Sequence, residues 1–158
     1  MGEGDGEGAD NPGVVAPPPL IFAVALVAGL LANRRCPKTL LPGALSKMLG
    51  WPLGGGLLLG LSGFREMRRA GTNVDPHHPT TAIVEGDPYA FTRNPLYAGM
   101  APIYAGIGAR ANALPAALLL PVVLHLVDRG VIEREERYLE GKFGDDYLRY
   151  KGRVRRWI

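Results

Sequence analysis

"NALPAALLLPVVLHLVDRG", residues 112–130, holds a single ionisable side chain, His125, before it reaches Asp128. A soluble helix of this length carries charge on its water-facing side, so an uncharged run points to lipid. Working outward, the same segregation recurs. Charges are almost absent from 14–33, 39–64, 94–109 and 111–127, and they crowd into the segments between and after these. In a chain of 158 residues, room for one domain, this pattern predicts an all-α fold. The expected architecture is a polytopic membrane helix bundle of about four transmembrane helices with a C-terminal amphipathic helix.

The first expected span is "PPPLIFAVALVAGLLAN", entered through prolines and stopped by Arg34 and Arg35. The second runs from about Thr39 to Phe64, and its "GGGLLLG" offers a small-residue face for close helix packing. The third begins at Pro95 and ends near Arg110, with Pro102 inside it. In the fourth, Asn112 can cap, Pro115 sits in the first turn and Pro121 should kink the helix. Spans one and three fall short of the roughly 20 residues that a crossing prefers. A hairpin that enters without crossing is the alternative for either.

Lysine and arginine set the orientation. With the N-terminus inside, the cytoplasmic side receives Arg65, Arg68, Arg69, Arg93 and the basic tail from Arg129. The outer side receives Arg34, Arg35, Lys38 and Arg110. The imbalance places the 65–93 loop and the tail together in the cytoplasm. The acidic, glycine-rich opening, residues 1–16, reads as a disordered tail, and 17–158 as a single membrane domain. In the tail helix, Leu139, Phe143, Tyr147 and Tyr150 recur at helical steps and draw one apolar stripe. Glu133 and Arg137 form an i,i+4 pair. Arg153, Arg155, Arg156 and Trp157 suit anionic headgroups.

Several residues could carry chemistry. Asn94-Pro95 is a helix-start signature, with first-turn amides that favour anions and Arg93 adding positive potential. Tyr97 can face the same pocket. Glu135 and Glu136, just past an apolar span, need a partner: an ammonium ligand or Arg93. His77 and His78 are adjacent and point apart, with no third ligand nearby, and no metal site is expected. His125 reads as a satisfied intramembrane histidine. Cys36 has no cysteine to pair with. The basic residues flank spans in the topogenic pattern, so nucleic-acid binding is not expected.

"GTNVDPHHPTTAIVEGDPYAFTRNPLYAGM" followed by "EREERYLEGKFGDDYLRYKGRVRRW" resembles the isoprenylcysteine carboxyl methyltransferase family, including its bacterial members and the related phospholipid methyltransferases. The resemblance covers roughly residues 60–158. It rests on a Gly-x-x-Tyr-x-x-x-Arg-Asn-Pro-x-Tyr-x-Gly block paired with a Glu-Glu…Phe-Gly-x-x-Tyr-x-x-Tyr block. It implies an integral-membrane methyltransferase that uses S-adenosyl-L-methionine in a cytosol-facing pocket. By motif position, cofactor contacts fall on Thr81, Ala82, Ile83, Val84, Tyr89, Asn94, Pro95, Leu96, Tyr97 and Glu135.

The resemblance also makes Arg93 and Arg134 the catalytic candidates. The arginine that orients the acceptor carboxylate in such enzymes aligns with Val131, and Arg129 and Arg134 lie out of register beside it. Where members acting on prenylated cysteine carry His, this chain has Asn94. The acceptor implied is lipophilic: prenylcysteine-like, a lipid, or a small thiol or amine. The alternative is a non-catalytic membrane scaffold or ligand-binding protein that keeps the methyltransferase fold.

Overall fold

The structure, a computed structural model, describes residues 11–39, 41–48, 51–74 and 78–158. Residues 1–10 of the expected acidic tail and His77 lie outside the described residues. The described residues form, in chain order, the helices α1 (Pro18–Arg35), α2 (Gly43–Met48), α3 (Pro52–Arg69), α4 (Pro95–Arg110), α5 (Leu114–Val127), α6 (Glu133–Phe143) and α7 (Asp145–Arg153). A π-helical turn, Asp128–Ile132, joins α5 to α6 without a break. Among the described residues there is no β-strand, only an isolated parallel bridge between Thr92 and Arg155.

Prolines decide where helices begin. Pro18, Pro52, Pro95 and Pro115 each stand in a first turn, where a missing N–H costs nothing. The same chemistry overturns the single span expected from Thr39 to Phe64. Pro52 cannot continue a preceding helix, so the segment divides into short α2 and a separate α3 that runs on to Arg69. Asn112 does not cap α5. It adopts a left-handed backbone (φ 49°), and its side chain pairs with the Leu41 backbone at 2.9 and 2.7 Å. That pairing ties the α4–α5 turn to the segment leading into α2.

Helices α3 and α4 form the closest pair, and small residues permit it. A Cβ on Gly99 would lie 2.7 Å from the Gly56 carbonyl oxygen and 2.9 Å from the Gly60 amide. The expected small-residue face is therefore real, but Gly56 and Gly63 supply it, while a Cβ on Gly54, Gly55 or Gly60 would meet nothing within 4 Å. On the other side, α1 and α4 pack on α5 around Tyr104. Its ring meets Phe22 edge-on at 6.2 Å, and its hydroxyl donates to the Ala116 carbonyl at 2.9 Å. Val123, Val127, Val131 and Ile132 complete this core.

The outward faces are apolar. Leu20, Val24, Val27 and Leu31 on α1, Leu58 and Leu61 on α3, and Leu118, Val122 and Leu126 on α5 are each at least half exposed. In water such belts would be an aggregation hazard; a bilayer is the solvent that matches them. Helix α1 and the continuous 30-residue helix Leu114–Phe143 are long and apolar enough to cross a membrane. Among the described residues, two of the about four crossings expected from sequence meet both tests. Helix α4 has only 16 residues, about 24 Å, and α3 ends in Arg65, Glu66, Arg68 and Arg69.

The C-terminal helix is also not one piece. Gly144 (φ 54°) ends α6 and turns the chain into α7, because a glycine tolerates the positive φ that a reversal needs. Tyr147 and Tyr150 therefore leave the stripe begun by Leu139 and Phe143. They are buried, not laid on the membrane.

Candidate functional site

Three segments meet at one end of the bundle: residues 72–74 and 78–94 with the start of α4, the start of α6, and α7 with the residues after it. Between them lies one cavity whose lining includes Ala82, Ile83, Val84, Tyr89, Arg93, Asn94, Pro95, Leu96, Tyr97 and Glu135. Nine of the ten expected cofactor contacts are thus brought to one place. Thr81 is not among the lining residues. It is exposed, and it pins the loop to the end of α3 through its amide to Thr72 Oγ1 and its hydroxyl to the Gly71 carbonyl, both at 3.0 Å.

The two glutamates take different partners. Glu135 accepts a 2.6 Å hydrogen bond from the Tyr97 hydroxyl. Glu136 accepts from Arg93 Nη2 at 2.7 Å, and both side chains are more than nine-tenths buried. The alternative posed by the sequence, ammonium ligand or Arg93, is divided between neighbours. Glu136 takes the arginine, which leaves Glu135 in the cavity wall.

Arg93 is clamped. Besides Glu136, its Nη1 donates to the carbonyls of Lys151 at 2.9 Å and Val154 at 2.8 Å. Its Nε is the one buried side-chain polar atom without a hydrogen-bond partner among the described residues. Arg134 lies elsewhere. It is exposed, outside the cavity lining, and its guanidinium donates to the Gly13 carbonyl at 2.7 Å. That bond draws residues 11–15 against the α6 end, and Pro12 joins the cavity wall. Glu133 pairs with Arg129 at 2.7 Å, in contrast to the expected Arg137 pair.

Asn94 occupies the cap position of α4, but no side chain caps that helix. Its amide instead donates to the Arg156 carbonyl at 2.9 Å. Thr92 Oγ1 donates to the same carbonyl at 3.2 Å, and the Arg93 amide to the Arg155 carbonyl at 2.8 Å. The residues after α7 therefore lie as an extended arm along the 92–94 loop. Arg156 closes the cluster with Nε and Nη2 on Glu136 at 3.1 and 2.8 Å, and Nη1 on both Asp128 oxygens at 3.3 Å. The hydrogen bond from Arg156 to Glu136, and the anionic charges beside it, raise the Arg156 pKa above the ordinary guanidinium value.

Sequence reasoning assigned this arm to headgroups; the structure ties it by hydrogen bonds to Thr92, Arg93, Asn94 and Glu136 beside the cavity. Arg153 likewise pairs with Glu85 at 2.8 Å. The acidic partners Asp128, Glu136 and Glu85 were the available signal, but nothing local links residue 156 to residue 128.

Burial raises the Tyr89, Tyr147 and Tyr150 pKa values well above the usual phenol, and nearby carboxylates push the same way at Tyr89 and Tyr147. Tyr150 donates to the Tyr89 carbonyl at 2.8 Å, which secures α7 to the loop. Carboxylate, phenols, exposed backbone and apolar side chains such as Met67 and Leu139 make a donor set suited to an amphoteric ligand with a flat aromatic part.

A second, mostly apolar groove lies between α3, α4 and α5. It is lined by Pro52, Gly56, Leu59, Ala101, Leu124 and Trp157, among others, with His125 and Asp128 as its titratable side chains. His125 is exposed there, within the candidate span Leu114–Phe143.

Comparison with known proteins bears on this arrangement. A family model described as phospholipid methyltransferase matches residues 47–146. A Haemophilus influenzae protein described as uncharacterized is 51% identical over 37 residues, which cover 23% of this chain and 59% of that protein. The chain therefore covers under two thirds of that relative. No solved structure matches significantly.

Proposed function

The chain belongs to the phospholipid methyltransferase family, and from that premise we propose that it is a multi-pass membrane enzyme transferring a methyl group from S-adenosyl-L-methionine to a lipophilic acceptor. The observation that carries this reading is the 2.6 Å contact between Tyr97 and Glu135. Residues 38 positions apart meet in the wall of one cavity.

The cavity's groups fit the cofactor's chemistry. Glu135 offers a carboxylate to an ammonium, and the unpartnered Arg93 Nε offers an N–H to a carboxylate beside the start of α4. Ala82, Ile83 and Val84 offer backbone, and Tyr89 and Tyr97 offer aromatic faces. When bound, the cofactor supplies an electrophilic methyl on a sulfonium, so this chain's task is to align and to exclude water. The buried Tyr147 and Tyr150 in the cavity wall serve exclusion. Arg93, held by Glu136 and two carbonyls, keeps the loop's geometry.

The apolar groove, opening among lipid-facing helices, is the place for the acceptor's tail. At the position where an arginine orients a carboxylate in prenylcysteine enzymes, Val131 is fully buried in the core. That favours an acceptor without a carboxylate at that point. The positive-inside balance orients the cavity towards the cytoplasm.

The test is direct. Purified protein in detergent is titrated calorimetrically with S-adenosylhomocysteine, and membrane lipid extract is incubated with methyl-labelled S-adenosylmethionine. Binding together with label in the lipid fraction is expected. No binding would favour the non-catalytic scaffold.

A further inference from the structure

Glu136 lines the cavity at the start of α4, whereas Asp128 and Trp157 line the apolar groove. One side chain joins a residue of each lining. Arg156 grips Glu136 with two N–H groups, at 3.1 and 2.8 Å, and turns its remaining arm to both oxygens of Asp128 at 3.3 Å. Asp128 accepts in turn from the Trp157 indole at 3.2 Å. On the cavity side, Glu136 holds Arg93 at 2.7 Å. A continuous charged chain thus runs from the cavity wall to the groove, and it passes through the planar fork of a single guanidinium. Arginine suits this position because its donors are fixed in direction and serve two carboxylates at once.

The π-helical turn is what supplies the second carboxylate. It begins at Asp128 and ends just before α6. An extra residue in the turn rotates the facing of α6 relative to α5 by about 100°. That rotation sets Asp128 and Glu136 on the same arginine although eight positions separate them.

We propose that Arg156 is a positioning residue that couples the two compartments: it fixes the cavity wall through Glu136 and the groove's polar end through Asp128 and Trp157, so that filling the cavity changes the groove. The inference rests on the methyl-transfer reading and adds to it an order. The donor site, once filled, readies the place where the acceptor tail lies.

The chain has two tryptophans, Trp51 and Trp157, so Trp51→Phe leaves Trp157 as the sole indole reporter in the groove. The full chain with this change is placed in nanodiscs of phosphatidylcholine brominated at mid-chain, and bromine quenching of Trp157 is recorded with and without saturating S-adenosylhomocysteine. Binding is measured calorimetrically on the same samples. The expected result is a change in quenching of at least 1.5-fold on binding. Arg156→Ala should lose that change and bind S-adenosylhomocysteine at least tenfold more weakly.

Asp128→Asn removes the charge on the groove side and guards against a folding defect in Arg156→Ala. It should still bind S-adenosylhomocysteine while losing the quenching response. An undiminished response in saturated Arg156→Ala or in Asp128→Asn overturns the coupling, as does no response in the parent despite binding. Failure of the parent to bind S-adenosylhomocysteine overturns the methyl-transfer reading, and this inference with it.

Discussion

Arg93 and Glu136 form an ion pair 2.7 Å long with side chains only 9% and 6% exposed, and it joins the start of α4 to the start of α6. Burying such a pair stabilises little by itself, but removing one partner leaves the other charge stranded. Arg156 at 2.8 Å and Lys151 at 3.5 Å also lean on Glu136. Glu136→Ala is therefore expected to destabilise the protein by about 3–5 kcal/mol, read as a lowered thermal unfolding midpoint in detergent. A variant as stable as the parent would show that the pair is not formed.

Its neighbour answers to a different measurement. Glu135 bonds Tyr97 and faces the cavity, so Glu135→Ala should leave folding nearly intact and weaken S-adenosylhomocysteine binding by roughly 1.5–3 kcal/mol. That is about a ten- to hundredfold rise in Kd. Tyr97→Phe removes one neutral donor and should cost about 0.5–1.5 kcal/mol. Unchanged affinity in Glu135→Ala would take that carboxylate out of the site.

Arg134 separates the two accounts of the acceptor side. Its observed partner is the Gly13 carbonyl, outside the cavity lining. Arg134→Ala is expected to release residues 11–15, seen as faster amide exchange at Gly13 and Val15, with methyl transfer reduced less than threefold. A loss of a hundredfold or more at unchanged stability would restore Arg134 to the chemistry.

The α3–α4 seam is open to an equally sharp test. A side chain at Gly99 would collide with the Gly56 and Gly60 backbones, whereas one at Gly54 meets nothing within 4 Å. Gly99→Val should destabilise by about 1–3 kcal/mol through overpacking. Gly54→Ala should be neutral or stabilising by up to about 1 kcal/mol. Similar unfolding midpoints for both would mean the two helices are not this close.

Alkaline pH probes α7 and the loop. Burial raises the Tyr89, Tyr147 and Tyr150 pKa values above the ordinary 10.0, so the folded state holds these protons more tightly than the unfolded chain. Their contribution is fully present below pH 10 and is lost as pH rises through the folded-state values. Absorbance at 295 nm should show these phenols ionising only as the protein unfolds. Their titration near pH 10 in the folded protein would place them in water.

Much of this architecture is legible in the chain alone. The charge-free runs mark helices and lipid-facing surfaces, and the Arg-Asn-Pro step marks the start of α4. The motif blocks name nine residues that share one cavity. These features are local: span composition, proline chemistry and short-range spacing act within a few turns and leave their mark in sequence order.

Where the chain turns back on itself, the sequence is silent or misleading. The stripe through Leu139, Phe143, Tyr147 and Tyr150 has helical period, yet Gly144 divides it. Nothing in the period distinguishes a glycine within a helix from one that ends it. The arm at 154–158 resembles a set of headgroup ligands because its partners, Asp128 and Glu136, lie 28 and 20 positions away. The π-turn that aligns them adds one residue to a turn without any change of composition. Long-range pairing of charges is settled by which helices pack together, since that packing alone determines which carboxylate a buried arginine can reach.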